Sequence, residues 1–256
     1  MFRSTSFSHG PISARPKPGF AAGMGWCHHE RRDNKPQMPS RTSGTQTRSK
    51  HQPVVVGVAD HNGWVVLVSA AAVNGEPAVV DRRRVALIEK GVPSQPYHHE
   101  TLALSDADSE QLLGKVRRSI ASCTALALDH LAADLSPRYR VAAIAIRQPP
   151  LASLPATIGE VHQSYHVQCR ADGMLYHSAI CQAARQRDWK VVLHPRGEEL
   201  AMAAAALRVS TRQVEQFVNG LKQTLKAPWA AEHRDAFAAA IGSLGQQSRL
   251  RVPQID

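Results

Sequence analysis

Short apolar runs separated by turn residues predict three consecutive strands in the first half of the chain. The runs are Pro53–Ala59, Trp64–Val73 and Pro77–Ile88. They are rich in β-branched residues, and the third alternates apolar and polar positions, as strands do. Asn62-Gly63 and Asn74-Gly75 separate the runs, and Asn-Gly is typical of tight hairpin turns. We therefore expect the three strands to form an antiparallel meander.

After a proline-containing loop, the apolar period changes from that of a strand to that of a helix. Ser105 or Ser109 can cap a first helix with acidic residues in its first turn. The largely apolar run Tyr139–Ile146 is typical of a central parallel strand. The remaining predicted elements are a helix from Thr157 to about Arg187, a strand over Trp189–Leu193 and Ala-rich helices from Glu198 to about Leu244, broken near Pro228. The predicted order is β-β-β-α-β-α-β-α, an α/β fold.

This order, with Asp60 at the end of the first strand, resembles the ribonuclease H-like superfamily and its RuvC-type resolvase branch. The resemblance covers about residues 53–244 and lies in topology and short motifs. It implies a metal-dependent nuclease that acts on DNA or RNA phosphodiesters with Mg²⁺ or Mn²⁺. A Tyr-His-His-Glu segment and a late His-Arg helix also resemble a bacterial family from which no activity carries over.

The resemblance implies that acids from the first strand, the first helix or fourth strand, and the last helix gather around divalent metal. Asp60 matches the first-strand acid, Glu100 the first-helix acid and Asp235 the last-helix acid. Glu232 lies three residues before Asp235 and shares its helix face, and His233 is a candidate for phosphate contact or proton transfer. Each has a plain structural alternative: Asp60 can cap the Asn-Gly turn, and the helix acids can be solvated charges favoured by the helix dipole.

The fourth predicted strand departs from the nuclease pattern. It ends in Arg147 where a nuclease would usually place another carboxylate, and a cation there repels Mg²⁺ and favours a phosphate or a carboxylate. The alternative function is therefore a catalytically inactive binding or assembly module of the same fold. A third hypothesis is a sugar-kinase or actin-like phosphotransferase, whose fold also begins with a strand, an Asp, a Gly turn and a strand. That hypothesis needs a longer chain and a second phosphate loop, and the sequence shows neither.

Basic and histidine residues supply further candidates for substrate binding. Arg82 and Arg84 share one face of the third strand and could contact a nucleic-acid backbone, or they could stay solvated and deter edge pairing. His98 and His99 precede Glu100 and are expected to form hydrogen bonds or to donate to phosphate. A zinc site is less well supported because no second pair of soft ligands has metal spacing.

The helix predicted over Glu160–Arg187 carries a stripe of polar residues. Its cysteines and tyrosines are expected to pack in the core or an interface, while its histidines face solvent. Asp172 and Tyr176 lie one helical turn apart and are candidates for a hydrogen bond with each other.

The net charge of +10, from 31 Lys and Arg against 21 Asp and Glu, first suggests a polyanionic partner such as nucleic acid. However, residues 1–52 carry nine of the positive charges and only two acids, so the rest of the chain is only mildly basic. Their composition predicts a disordered basic tail. It could be a phosphate-binding arm, an organellar transit peptide or an over-extended reading frame that truly begins at Met24 or Met38. The predicted domain spans 53–246, and residues 247–256 form a C-terminal tail.

Composition also argues against several classes of protein. No apolar run approaches the roughly 18–20 residues that cross a bilayer, so no membrane partner is expected. The four cysteines form no CxxC pair and are too few for a disulfide scaffold, which favours a reducing cytoplasm. No Walker loop, GxGxxG, GxSxG or HExxH motif occurs. The oligomeric state is left open.

Overall fold

A single five-stranded sheet forms the centre of the computed structural model, which describes residues 51–245 and 250–251. The strands are β1 (Gln52–His61), β2 (Trp64–Val73), β3 (Glu76–Ala86), β4 (Tyr139–Arg147) and β5 (Lys190–His194). Their order across the sheet is β3-β2-β1-β4-β5. β1, β2 and β3 form the antiparallel meander, and β4 and β5 run parallel to β1. This order and these directions confirm the ribonuclease H-like fold.

Helices cover both faces of the sheet. They are α1 (Asp106–Leu135), α2 (Ile158–His162), α3 (Tyr165–Arg185), α4 (Glu199–Leu207), α5 (Thr211–Gly220) and α6 (Ala231–Leu244), with 3₁₀ segments at Glu100–Ala103 and Leu221–Gln223. Ser105, and not Ser109, caps α1, accepting a hydrogen bond from the Asp108 backbone N–H. The single helix predicted from Thr157 is divided into α2 and α3. No helix among the described residues is long and apolar enough to span a membrane.

Alternation along β1 divides the core into two layers. Val54, Val56 and Val58 pack against residues of α1 and α3, such as Ile120 and Ile180. The intervening residues of β1 face the layer made by α4, α5 and α6. Two hydrophobic cores therefore flank the sheet, and consecutive side chains at the end of β1 point toward different groups of helices.

Gly57 marks the closest approach between the sheet and α6. A Cβ added at this position would lie 1.7 Å from the backbone oxygen of Ala236. Only glycine leaves room for the α6 backbone here, and the alanines of α6 around this point are fully buried. This contact fixes the N-terminal turn of α6 near the carboxyl end of β1.

The predicted limits of the domain and its tails remain predictions. Residues 1–50, 246–249 and 252–256 lie outside the described part of the chain, and so do most of the predicted tails. Within the described part, β1 begins at Gln52, and Leu250 is buried against the α4–α6 layer.

Candidate functional site

The carboxyl ends of β1 and β4 create a cavity at one edge of the sheet. These strands are parallel neighbours, with Val58 paired to Ile146, so Asp60 and Arg147 lie at the same end of the sheet. A cavity of about 280 Å³ opens between them and α3. Its lining includes Asp60, Arg147, Cys169, Arg170, Gly173, His177 and Arg196, together with the Gln148–Pro150 segment.

Positive charge predominates in this strand-end cavity. Three arginines, Arg147, Arg170 and Arg196, line it together with one acid, Asp60. Arg170 donates from Nη2 to the backbone oxygen of Ser153 at 3.0 Å, which ties it to the loop after β4. Its Nε is buried and has no hydrogen-bond partner among the described residues. An arrangement of this kind attracts anions more strongly than cations.

His177 attaches α3 to the end of β4. Its Nε2 lies 2.9 Å from the backbone oxygen of Arg147, and the residue is only 9% exposed. The expectation that the α3 histidines face solvent is therefore wrong for His177. The same expectation placed the tyrosines inside, and Tyr176 is buried as predicted whereas Tyr165 is 59% exposed.

Arg147 also contacts a group of polar residues beside α4. Its Nε lies 3.9 Å from Oε1 of Glu199, and the same oxygen lies 3.6 Å from Nδ1 of His194. Glu199 and His194 are both buried. The Nε atom of Arg147 and the Nε2 atom of His194 have no hydrogen-bond partner among the described residues. Glu199 is therefore the nearest counter-charge of Arg147.

Asp235 and Glu232 lie at the start of α6 near this pair. The pKa of Asp235 is raised, first by burial of its carboxyl and then by the negative charge of Glu199, while Arg147 lowers it. Glu232 raises it further. Asp235 is an exposed residue, and its carboxyl is influenced by the charges of Glu199, Glu232 and Arg147. Three carboxylates and Arg147 therefore interact on the α6 side.

His61 is the last residue of β1 and belongs to the same surroundings. Burial lowers its pKa, and the charges of Arg147 and Arg84 lower it further, against the raising effect of Glu232 and Asp60. Its ring stacks on Trp64 with centroids 3.8 Å apart. The Arg84 guanidinium lies 3.9 Å from the centroid of the Trp64 ring. Arg84, predicted as a phosphate contact, is thus engaged in a cation–π contact with Trp64.

Arg82 and His233 both support local structure. Arg82 donates to the backbone oxygens of Pro228 and Lys226, which holds the segment before α6 against β3. His233 is buried, and its Nδ1 accepts the Ala230 backbone N–H at 3.4 Å. Burial also lowers its pKa. The geometry gives His233 a position inside the α6 N-terminus, and its role in phosphate contact or proton transfer stays a prediction.

Glu100 and its two histidines lie in a different neighbourhood, beside α3. The Asp172 carboxylate accepts the backbone N–H groups of Tyr97 at 2.9 Å and of His98 at 3.2 Å. Glu100 and His99 both act on the pKa of Asp172. The Tyr-His-His-Glu segment is thus anchored by a buried carboxylate that sequence reasoning did not assign to it.

The candidate hydrogen bond between Asp172 and Tyr176 does not form. Both oxygens of Asp172 accept backbone N–H groups from the loop before α1, while the Tyr176 hydroxyl donates to the backbone oxygen of Ser94 at 2.9 Å. Both side chains of α3 therefore bond to the loop between β3 and α1. That loop is distant from α3 in the sequence, so the spacing of residues along the helix does not indicate these contacts.

The predicted metal ligands do not form a preformed metal site. Asp60 lines the cavity on the α3 side, Asp235 interacts with Glu199 and Glu232, and Glu100 interacts with Asp172. Within residues 51–245 and 250–251, no group of three or more His, Cys, Asp or Glu side chains is arranged to hold a metal ion. The Arg147 side chain lines the cavity that contains Asp60 and also lies close to Glu199. The donor set as placed does not fit a divalent metal.

Sequence reasoning missed three residues of this region. His61, His194 and Glu199 all follow or end a strand whose carboxyl end meets Arg147. His194 is paired in register with Arg147, and its position at the end of a parallel strand was a usable signal. Glu199 lies on α4, and nothing in the local pattern distinguishes it from the neighbouring Glu198.

Comparisons with known proteins extend only to the fold. No protein-family model and no curated protein matches this chain. Thermus thermophilus RuvC is similar, with 13% sequence identity and a TM-score of 0.44 over 76% of this chain and 95% of that chain. The T. thermophilus RuvC structure in complex with a Holliday junction substrate gives 15% identity and a TM-score of 0.45, over 76% and 94%. The yeast mitochondrial Holliday junction resolvase gives 14% and 0.39, over 78% and 82%.

Proposed function

We propose that this domain binds nucleic acid through a backbone phosphate held in the strand-end cavity, and that it does so without a nuclease-type metal centre. The observation that carries the proposal is Arg147 at the end of β4, in the same cavity as Arg170 and Arg196. Guanidinium groups donate in a planar fork that matches phosphate oxygens, and Arg is preferred where such geometry matters.

The balance of charge supports an anion at this place. Asp60 alone opposes the three arginines within the cavity, and Arg147 has a further acid, Glu199, on its other side. Arg196 is exposed at the rim, where it can reach a ligand without unfolding any part of the domain. Arg170 also lines the cavity, where its guanidinium adds positive charge beside that of Arg147.

The experiment measures binding of a fluorescently labelled single-stranded oligonucleotide by anisotropy. Arg196→Gln is expected to weaken binding by about 5- to 10-fold, as for loss of one charge-assisted contact. Arg140→Gln is the matched control, because Arg140 is an exposed arginine at the opposite end of β4. Equal affinities of wild type and Arg196→Gln would contradict the proposal.

A second candidate function is a metal-dependent nuclease that acts on DNA or RNA phosphodiesters. It is favoured by one observation: the pKa of Asp235 is raised, first by burial and then by the negative charges of Glu199 and Glu232 beside it. Crowded carboxylates of this kind are eased by a bound cation, and Mg²⁺ or Mn²⁺ would take oxygen ligands. Because Arg147 lies beside these carboxylates, its side chain would have to move before a cation could bind.

Cleavage assays separate the two functions. Branched, hybrid and single-stranded substrates are incubated with Mg²⁺ or Mn²⁺ and with wild type, Asp60→Asn or Asp235→Asn. A nuclease loses cleavage in both variants. Equal background rates in all three proteins would end the nuclease hypothesis and leave the binding proposal standing.

A further inference from the structure

Four aromatic rings form a cluster at the N-terminus of α3, which we call the ring cluster: His98, His99, Tyr165 and His166. His98 and His99 stack with their centroids 4.2 Å apart. Tyr165 meets His98 edge-on at 4.8 Å, and His166 lies 5.8 Å from Tyr165. These residues belong to two chain segments that only the fold brings together.

The ring cluster faces outward and is held in place from beneath. Tyr165 is 59% exposed, His99 and His166 are also exposed, and His98 is partly buried. The backbone N–H of His98 donates to the buried Asp172 carboxylate, which fixes the His98–His99 segment against α3. The rings are therefore preorganised, so the protein loses little conformational entropy when a ligand stacks on them.

The ring cluster is adjacent to the strand-end cavity. Tyr165 and Cys169 are four positions apart on α3, so their side chains lie one turn apart on the same helix face. Cys169 and the next residue, Arg170, line the cavity. A phosphate in the cavity would thus have exposed aromatic rings about one helical turn away.

We infer that the ring cluster stacks the unpaired bases of a single strand whose backbone phosphate lies in the strand-end cavity. This inference rests on the proposed function and names its substrate class. Aromatic side chains beside a positive groove are the common means of holding single strands, because every base has a face on which a ring can stack. Paired bases of a duplex are stacked on one another and do not offer that face to side chains on the protein surface.

The test compares three labelled ligands of the same length: a single strand, the same strand with abasic sites and a full duplex. The wild-type protein is expected to bind the single strand most tightly. Tyr165→Leu is expected to weaken single-strand binding by about 5- to 30-fold, the lower part of the range for loss of one stacked base. Tyr165→Phe is expected to retain it, since the ring and not the hydroxyl stacks.

The abasic strand supplies the internal control. Tyr165→Leu is expected to bind it as wild type does, which shows that the variant is folded and its cavity intact. Leu126→Ala, a change at an exposed residue of α1, is expected to alter none of the affinities. Unchanged single-strand affinity in Tyr165→Leu, or a duplex bound as tightly as the single strand, would overturn the inference.

Failure of the inference and failure of the proposed function give different results. If wild type binds the abasic strand and Arg196→Gln weakens that binding, the phosphate cavity stands whatever Tyr165→Leu does. If Arg196→Gln changes no affinity while Tyr165→Leu still weakens single-strand binding, the cavity does not hold the phosphate. The inference that one strand contacts both the cavity and the ring cluster is then wrong as well.

Discussion

The Nε atom of Arg147, at the carboxyl end of β4, lies 3.9 Å from Oε1 of Glu199. Glu199 is buried, and its carboxylate lies between Arg147 and His194. A cation with its own counter-charge therefore occupies the position between the cavity that contains Asp60 and the group that contains Asp235. Among the described residues, no three His, Cys, Asp or Glu side chains are grouped so that they could hold a metal ion.

The Arg147–Glu199 pair is expected to couple energetically. Glu199→Gln should lower the free energy of unfolding by about 1–3 kcal/mol, because it leaves a guanidinium without its acid; the cost is moderated because the Arg147 side chain is 31% exposed. The double variant Arg147→Gln/Glu199→Gln should cost less than the sum of the two single changes, by about 1 kcal/mol. Urea denaturation of all four proteins measures the cycle. Strictly additive costs would show that the pair does not interact.

Removal of the cavity acid is expected to strengthen anion binding. Asp60→Asn leaves Arg147, Arg170 and Arg196 without an opposing charge inside the cavity, so affinity for a labelled single strand should rise by roughly 3- to 10-fold. Arg140→Gln, at the far end of β4, serves as a reference for changes in overall charge. If the protein is instead a metal-dependent nuclease, Asp60→Asn should change the affinity little and should abolish metal-dependent cleavage.

Gly57 is expected to tolerate no larger residue. The added Cβ in Gly57→Ala would overlap the Ala236 backbone oxygen, and neither the strand nor the helix can yield cheaply because both contacting groups are backbone. We expect a loss of about 3 kcal/mol or more in the free energy of unfolding. Gly159→Ala is the matched control: its Cβ would meet no atom within 4 Å, and the change should be neutral or slightly stabilising. Similar stabilities for the two variants would contradict the packing of α6 on β1.

Much of the fold follows from local sequence patterns. The two Asn-Gly turns and the β-branched runs between them are sufficient to predict the meander, because hairpin pairing depends on residues close in the chain. The end of β2 at Val73 and the cap at Ser105 are local in the same sense. The division of the helix after Thr157 was not predicted, because Gln163 and Ser164 carry no strong breaking signal.

The site was harder to predict than the fold. Asp60 and Arg147 could be placed at neighbouring strand ends from the expected topology, and the structure brings them to one cavity. Glu100 was assigned to the same centre, yet its segment is bound by Asp172 through backbone hydrogen bonds that no side-chain pattern reveals. The contact between Glu199 and Arg147 could not be predicted, because it depends on how α4 packs beside the end of β4. Long-range packing decides these positions.

Asp172 is expected to make stability depend on pH. Burial raises its pKa to about 6 from the ordinary 3.8, against the lowering effect of the Tyr97 and His98 N–H groups. The folded state therefore binds this proton more tightly than the unfolded chain does, and protonation stabilises the fold. This contribution is fully present below about pH 4 and is lost as the pH rises through about 6.

The measurement compares wild type with Asp172→Asn in denaturant titrations from about pH 4 to pH 7.5. Relative to Asp172→Asn, the wild type should lose about 3 kcal/mol of unfolding free energy over this range. Taking the difference removes the contributions of the other carboxylates, which the two proteins share. Parallel pH profiles would show that the Asp172 carboxyl titrates in the folded protein as it does in the unfolded chain.

Salt dependence gives the number of phosphate contacts. If one backbone phosphate of a single strand is held by the arginines of the cavity, the logarithm of the binding constant should fall with the logarithm of salt concentration with a slope of about −0.7 from that contact. Arg196→Gln should make the slope shallower, because the phosphate is neutralised less fully and fewer counterions are released, whereas Tyr165→Leu should lower affinity without changing the slope. This separates the charged cavity from the ring cluster, since stacking releases no counterions. An unchanged slope in Arg196→Gln would mean that the phosphates bind elsewhere on the protein.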